Sequence, residues 1–228
     1  MLTRFLLPLL FGLVGIAILV SLGTWQMQRL TWKQAILSDI ELRIAATPVN
    51  LPDQVDQIRD KFLPVIVEGT VTADEIHVLV SQKRIGAGYR IISAFETGQG
   101  RRILLDRGFI KVDQKNAARP LGTAEISGNL HWPNETGSSI PEPDLKAEIW
   151  FARDVPAMAA FLKTEPILIV ARETNLENDP VSPLPVDTVG IPNDHLQYAL
   201  TWFSLAVIWL IMTLAFLWRA RSMQKGFR

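Results

Sequence analysis

The chain has 228 residues, about half of them apolar, which is enough to bury a core and makes disorder a poor description of most of it. Its formal charge is zero, yet residues 1–28 and 195–228 hold five Lys or Arg and no acid, leaving 18 basic and all 23 acidic side chains to the 166 residues between; no basic cluster there is free of interleaved acid, which excludes a nucleic-acid surface. The absence of cysteine excludes disulfides, thiolate zinc or copper sites, a CxxC redox pair and covalent c-type haem attachment.

Phe5 to Gln28 is a run of 24 uncharged residues, and as a helix at 1.5 Å per residue it reaches about 36 Å, enough to span a bilayer. A cleaved signal peptide is the rival reading, with Arg4 as its basic end and Ser21-Leu22-Gly23 as small residues for cleavage. Leu30 to Arg43 continues the helix outward as an amphipathic stretch. From Pro64 to Trp132 the chain alternates β-branched runs with turn residues: PVIVEGTVT, EIHVLVSQ, YRIISAFET, RRILLDRGFIKV and AEISGNLHW read as antiparallel strands. Thr72-Ala73-Asp74, Gly86-Ala87-Gly88, Gly98-Gln99-Gly100 and Pro120-Leu121-Gly122 read as the hairpins or loops between them. DVPAMAAFLKT is predicted helical, with Asp154 as cap, Pro156 in the first turn and Met158, Phe161 and Leu162 on one face. PILIVARE, from Pro166, is one more strand, and 137–144 and 175–192 are loops. Leu196 to Trp218 is a second uncharged run, of 23 residues, followed by Arg219, Arg221, Lys225 and Arg228.

Arg4 before the first run and the basic cluster after the second place both termini in the cytoplasm, with the middle region across the membrane; without an Arg- and Ser-rich transit segment, a bacterial inner membrane and a periplasmic domain are expected. The fold class is a membrane protein of α+β type: two transmembrane helices flanking a mainly antiparallel β domain with one or two helices, a pattern compatible with barrel-like closure. The expected divisions are an N-terminal transmembrane helix over 1–28, a periplasmic domain over 29–194, and a second transmembrane helix with a basic tail over 195–228.

The outer ends of the two spans carry the residues best suited to chemistry. Asp194 and Gln197 have near capping-box spacing around a helix start, which puts His195 in the first turn. His195, Tyr198, Ala199 and Trp202 follow i, i+3, i+4, i+7 spacing, as Trp25, Arg29 and Trp32 follow i, i+4, i+7. If the two stripes meet, they join a neutral metal ligand, aromatic walls and a guanidinium for a propionate, a set that suits a haem; an aromatic belt at the membrane interface accounts for the tryptophans without a ligand. His77 reads as a partly exposed strand residue, with Leu79 on its face and Ile76, Val78 and Val80 opposite. His131 reads as a strand end, and Asp106-Arg107-Gly108 as a bulge with a paired surface charge. Gly86-Ala87-Gly88 lacks the third glycine of a nucleotide loop, Ser81, Ser93 and Ser138 lack an elbow context, and no paired carboxylates stand out, so the residues do not favour an enzyme.

GTWQMQRLTWK after the first span, GYRIISAFE and ILLDRGFI in the strands, WFARDVPAMA, and NDHLQYALTWFSLA opening the second span together resemble the surfeit-locus-one family, called Shy in yeast, from about Leu22 to Ala206 and in the same order. The resemblance implies a non-enzymatic assembly factor for cytochrome c oxidase that assists delivery or insertion of haem a into subunit I, with haem a held transiently. It makes His195 the candidate iron ligand and matches Trp25, Gln26, Arg29, Tyr198 and Trp202 to family motif positions. The expected partners are oxidase subunit I, haem a synthase and membrane lipid, and no nucleic acid. The alternative is a cofactor-free membrane scaffold that stabilises an oxidase assembly intermediate.

Overall fold

The computed structural model describes residues 3–82 and 85–225, and the chain forms two compact units: Met1–Asp39 with Val189–Arg228, and Ile40–Thr188. The first contains most of α1 (Thr3–Ile44) and all of α3 (His195–Lys225). Both helices are long and apolar enough to cross a membrane, and only 11% and 6% of their most apolar windows are buried within the protein. A core helix of a water-soluble protein would hide that surface. Leu10, Phe11, Leu13, Val207, Ile211 and Phe216 instead face outward, as lipid-facing residues do. The chain is therefore a membrane protein. Arg219 and Arg221 are exposed at the end of α3; the side chains of Arg4 and Lys225, and Arg228 as a whole, lie outside the described residues.

The second unit is a mixed, mainly antiparallel sheet. Its strands are β1 (Val49–Asn50), β2 (Pro64–Gln82), β3 (Gly86–Thr97), β4 (Arg102–Lys111), β5 (Gly122–Leu130), β6 (Ile149–Trp150) and β7 (Leu168–Thr174), with α2 (Val155–Leu162) between the last two. β2 pairs with β3, β3 with β4, β4 with β7, β7 with β5, and β5 again with β2, so the pairings form a ring. The β4–β7 pairing is parallel, as are the short pairings of β1 and β6 with β2.

The ring depends on β2 serving two partners. Its first half, from Pro64, pairs with β5, and its second half, to Gln82, with β3. The sequence predicts two strands there, broken at Thr72-Ala73-Asp74. The chain instead runs through as one strand with a bulge between Val71 and Glu75. Thr72 Oγ1 donates to the Ala94 carbonyl at 2.9 Å, which keeps β3 tied across the bulge. Gly86-Ala87-Gly88, also expected as a loop, belongs to β3 and pairs with Gln82, Ser81 and Val80. Gly88 is required by packing: a Cβ there would lie 2.1 Å from the Ile110 carbonyl oxygen.

One core cluster, around Val65, Phe95, Ile103, Leu105, Ile126, Leu130 and Ile169, lies on one face of the strands. The other, around Ile76, Val78, Ile92, Leu104, Trp150 and Leu168, is covered by α2 through Met158 and Leu162. Asp154 caps α2, its carboxylate accepting from Ala157 N–H at 3.1 Å, and Lys163 ends it in the left-handed region. Phe161 does not join Met158 and Leu162 in the core as predicted. It is 41% exposed, with its ring edge-on to Trp150 at 5.9 Å.

Candidate functional site

The two long helices meet along a seam of small residues. A Cβ on Gly12 would strike Thr213, one on Gly15 the Trp209 ring, and one on Gly23 the Phe203 ring. Phe11 also lies 5.5 Å from Trp209, centroid to centroid. On α3, Ala199 and Ala206 are buried against the same seam. These contacts run in opposite directions along the two helices, so the pair is antiparallel, and small side chains let the backbones approach.

At the end of the seam, where α3 begins, a polar pair replaces the small residues. His195 Nδ1 lies 2.8 Å from Gln26 Oε1. Gln26 is buried, and His195 is half-buried. The start of α3 is held by its own backbone, with Tyr198 N–H donating to the Asp194 carbonyl at 3.1 Å. An amide oxygen accepts and cannot donate, so in a neutral ring this contact calls for the proton on Nδ1, which would leave the lone pair on Nε2.

The other predicted residues surround this pair without entering the seam. Trp25 and Tyr198 are 50% and 55% exposed, Arg29 is exposed, and Trp202 is half-buried. The Arg29 guanidinium sits 4.4 Å over the Trp32 ring, a cation–π contact. At about 100° per residue, Trp25, Arg29 and Trp32 are rotated roughly 60–120° from Gln26, while Tyr198 and Trp202 are rotated about 60° and 20° from His195 in the same sense. In an antiparallel pair, offsets of the same sense fall on the same side of the seam. The two aromatic stripes therefore lie on the same side of the seam. Gly23 and Ala199 occupy the seam because bulky rings there would force the helices apart. Glycines at 12, 15 and 23 with Gln26, at helical spacing, were the signal in the sequence for this seam.

Among the described residues there is no group of three or more His, Asp or Glu side chains that could hold a metal ion. A metal at this site would have fewer than three such ligands, so much of the hold on its carrier must come from apolar surface. The residues fit a haem in that sense: an imidazole engaged by Gln26 through Nδ1 alone, exposed aromatic side chains nearby on both helices, and an exposed Arg29.

In the sheet domain, ionisable side chains pair with one another. Asp106 is fully buried; it accepts from Arg90 at 2.6 Å, from Arg153 at 3.4 Å and from the Gly108 N–H at 3.1 Å. Arg107 is also buried and donates to Asp179 at 2.7 Å. The predicted bulge is present, since Arg107 is the unpaired extra residue, but its charges are internal and not on the surface. Gly108 takes φ 122°, and a Cβ there would strike the Ser182 carbonyl, whose residue pairs with Phe109. His77 is likewise buried and not partly exposed as read from the alternation. Glu75 lies 3.2 Å away, Arg119 reaches both residues from the loop before β5, and Tyr89 stands edge-on to the ring. Burial works to raise the Glu75 pKa, but hydrogen bonds from His77 and Arg119 outweigh it and bring it down to about 2. His131, just past the end of β5 as expected, stacks on Phe62; burial, with Arg153 and Lys61 adding to it, lowers its pKa to about 4.

The SURF1 family profile matches residues 13–207, a span that includes both Gln26 and His195. The chain is similar to Surfeit locus protein 1 of Rattus norvegicus, with 29% identity over 208 residues, 81% of this chain and 67% of that protein. It is also similar to the SURF1-like proteins of Rickettsia felis, 28% identical over 88% of this chain and 92% of the relative, and Rickettsia prowazekii, 30% identical over 86% and 83%. With the profile covering most of α1, the whole sheet domain and the start of α3, this chain belongs to the SURF1 family.

Proposed function

We propose that this membrane protein is a non-enzymatic assembly factor for cytochrome c oxidase that receives haem a, holds it on the open face beside the helix seam, and passes it to subunit I. The observation that carries this reading is His195, held by Gln26 through Nδ1 at the mouth of an apolar helix pair and flanked by Trp25, Tyr198 and Trp202. Nε2 would ligate the iron, the aromatic side chains would lie against the macrocycle, and Arg29 would pair with a propionate. A single ligand on an open face suits cargo that must leave again. Haem a synthase would be the donor and subunit I the acceptor. The setting is a bacterial inner membrane, with both termini cytoplasmic and the sheet domain periplasmic; the exposed Arg219 and Arg221 in the last turns of α3 support that orientation.

The test is the visible spectrum of the detergent-solubilised protein purified from cells that make haem a, with and without His195→Ala. The wild type should carry haem a, and the alanine variant should lose it or change its ligation state. Identical haem in both forms removes His195 as ligand. A wild type that carries no haem yet copurifies with subunit I turns the protein into a cofactor-free scaffold for the oxidase intermediate.

A further inference from the structure

The hydrogen bond between the two membrane helices does more than join them. Gln26 is buried at the seam, with Gly23 nearly one helical turn before it on α1, and Ala199 stands one turn after His195 on α3. In such surroundings a glutamine is an expensive residue unless its side chain is used, because a buried amide without a partner loses its hydrogen bonds to water with nothing in return. Its carbonyl oxygen points at one ring nitrogen of His195, 2.8 Å away. A neutral imidazole has one N–H; with Nδ1–H facing the oxygen, Nε2 is the unprotonated nitrogen. The same bond fixes the plane of a ring that otherwise turns freely about its side-chain torsions at a helix start.

We infer that Gln26 is a positioning residue for His195: it selects the Nδ1–H tautomer and fixes the ring, so that Nε2 is presented to a haem iron on the open face. The inference rests on the haem reading above for the identity of the cargo, but the tautomer and the orientation belong to the protein alone. Gln26 touches the imidazole and not the cargo. It acts as a hydrogen-bonded partner behind a metal-ligating histidine, an arrangement that raises the donor strength of the ligating nitrogen. The bond spans 169 positions of sequence and joins α1 to α3, so ligand strength is tied to the integrity of the seam.

Two measurements on the full-length protein in detergent test this. The first is the nitrogen-15 spectrum of the histidine side chains without haem. The chain has only three histidines, and His195→Ala identifies the signal. Wild-type His195 should be protonated at Nδ1 and unprotonated at Nε2, and Gln26→Leu should allow both tautomers. Protonation at Nε2 in the wild type overturns the inference. The second is titration with ferric haem b. Gln26→Leu should bind about 10–100-fold more weakly with His195 intact. Gln26→Glu, which still accepts from Nδ1–H and adds negative charge, should retain the ligation spectrum and lower the reduction potential. Unchanged affinity, spectrum and potential in both variants also overturn it. If Gln26→Leu fails to fold, the wild-type tautomer and the Gln26→Glu potential decide. A wild type with His195 in the Nδ1–H form that takes up no haem confirms the positioning and removes the haem reading.

Discussion

At the scale of single residues, the most exacting demands fall on groups that the strands have enclosed. Asp106 has no exposure, and its carboxylate neutralises Arg90 and, together with Glu135, Arg153. Asp106→Ala leaves Arg90 and Arg153 without that partner, and should cost about 3–5 kcal/mol of stability, a large share of what a domain of this size has. Thermal unfolding followed by circular dichroism in the β region should show the loss directly. His131 and Glu75 set the response to acid. The folded state holds His131 at about 4, below the ordinary 6.5, so the folded form binds the proton less readily than the unfolded chain. Its penalty is absent above 6.5 and grows as pH falls to 4, reaching at most about 3 kcal/mol. Glu75, held at about 2, contributes stability above 4.5 that disappears as pH falls from 4.5 through 2. Urea unfolding at a series of pH values should therefore decline in two stages. His131→Phe, which keeps a ring against Phe62, should flatten the first stage, and Glu75→Gln the second.

Among the elements, α1 and α3 rely on the absence of side chains where they touch. Gly23 lies against the Phe203 ring, a little less than one turn before Gln26 on α1. Gly23→Leu should push the helices apart at that level and weaken the Gln26–His195 bond even though neither partner is altered. A pair of spin labels at the outer ends of the two helices should report a longer distance. Haem affinity should fall with it under the proposed function. Gly15→Leu, farther along the seam against Trp209, should separate the helices locally with a smaller effect on His195. β2 shows a comparable economy. Its bulge at Val71–Glu75 bends one strand from the β5 side of the ring to the β3 side, with Thr72 replacing a ladder bond by a side-chain bond. Thr72→Val removes that bond and should cost on the order of 1 kcal/mol, measurable by denaturant titration.

For the molecule as a whole, two crossings would return the chain to the side from which it started. Under the proposed orientation a C-terminal reporter should be active only in the cytoplasm, and one placed in the sheet domain only in the periplasm. The spans were legible because uncharged runs of 24 and 23 residues have few other uses, and α2 because Asp154, Pro156 and the apolar face agree. The strand runs were visible as well, but their continuity was not: Thr72-Ala73-Asp74 has the chemistry of a turn, and only the Ala94 carbonyl shows why it is a bulge. The burial of Asp106 and Arg107 was hidden because Arg153 and Asp179 come from 47 and 72 positions away. At the candidate site, His195 stood out as one of three histidines, and helical spacing placed its aromatic neighbours on one face. Gln26 was matched by family resemblance alone. Its partnership with His195 depends on which face of α1 turns toward α3, and large tryptophans attract the eye in a sequence more readily than the glycines that decide it.

The position of β7 has a consequence for the order of events at the ribosome. β7 sits between β4 and β5, both made well before it, so those two strands must wait for Leu168–Thr174 before the gap between them is bridged. Until then β4 and β5 each expose an unfilled edge, and nascent domains in crowded cells risk joining through such edges. Only about twenty residues separate the end of β7 from the start of α3. Completion of the domain and arrival of the second membrane segment are thus nearly simultaneous, and a ribosome paused shortly before Leu168 should leave a chain that proteases cut readily, while one paused after Thr174 has emerged should leave it resistant.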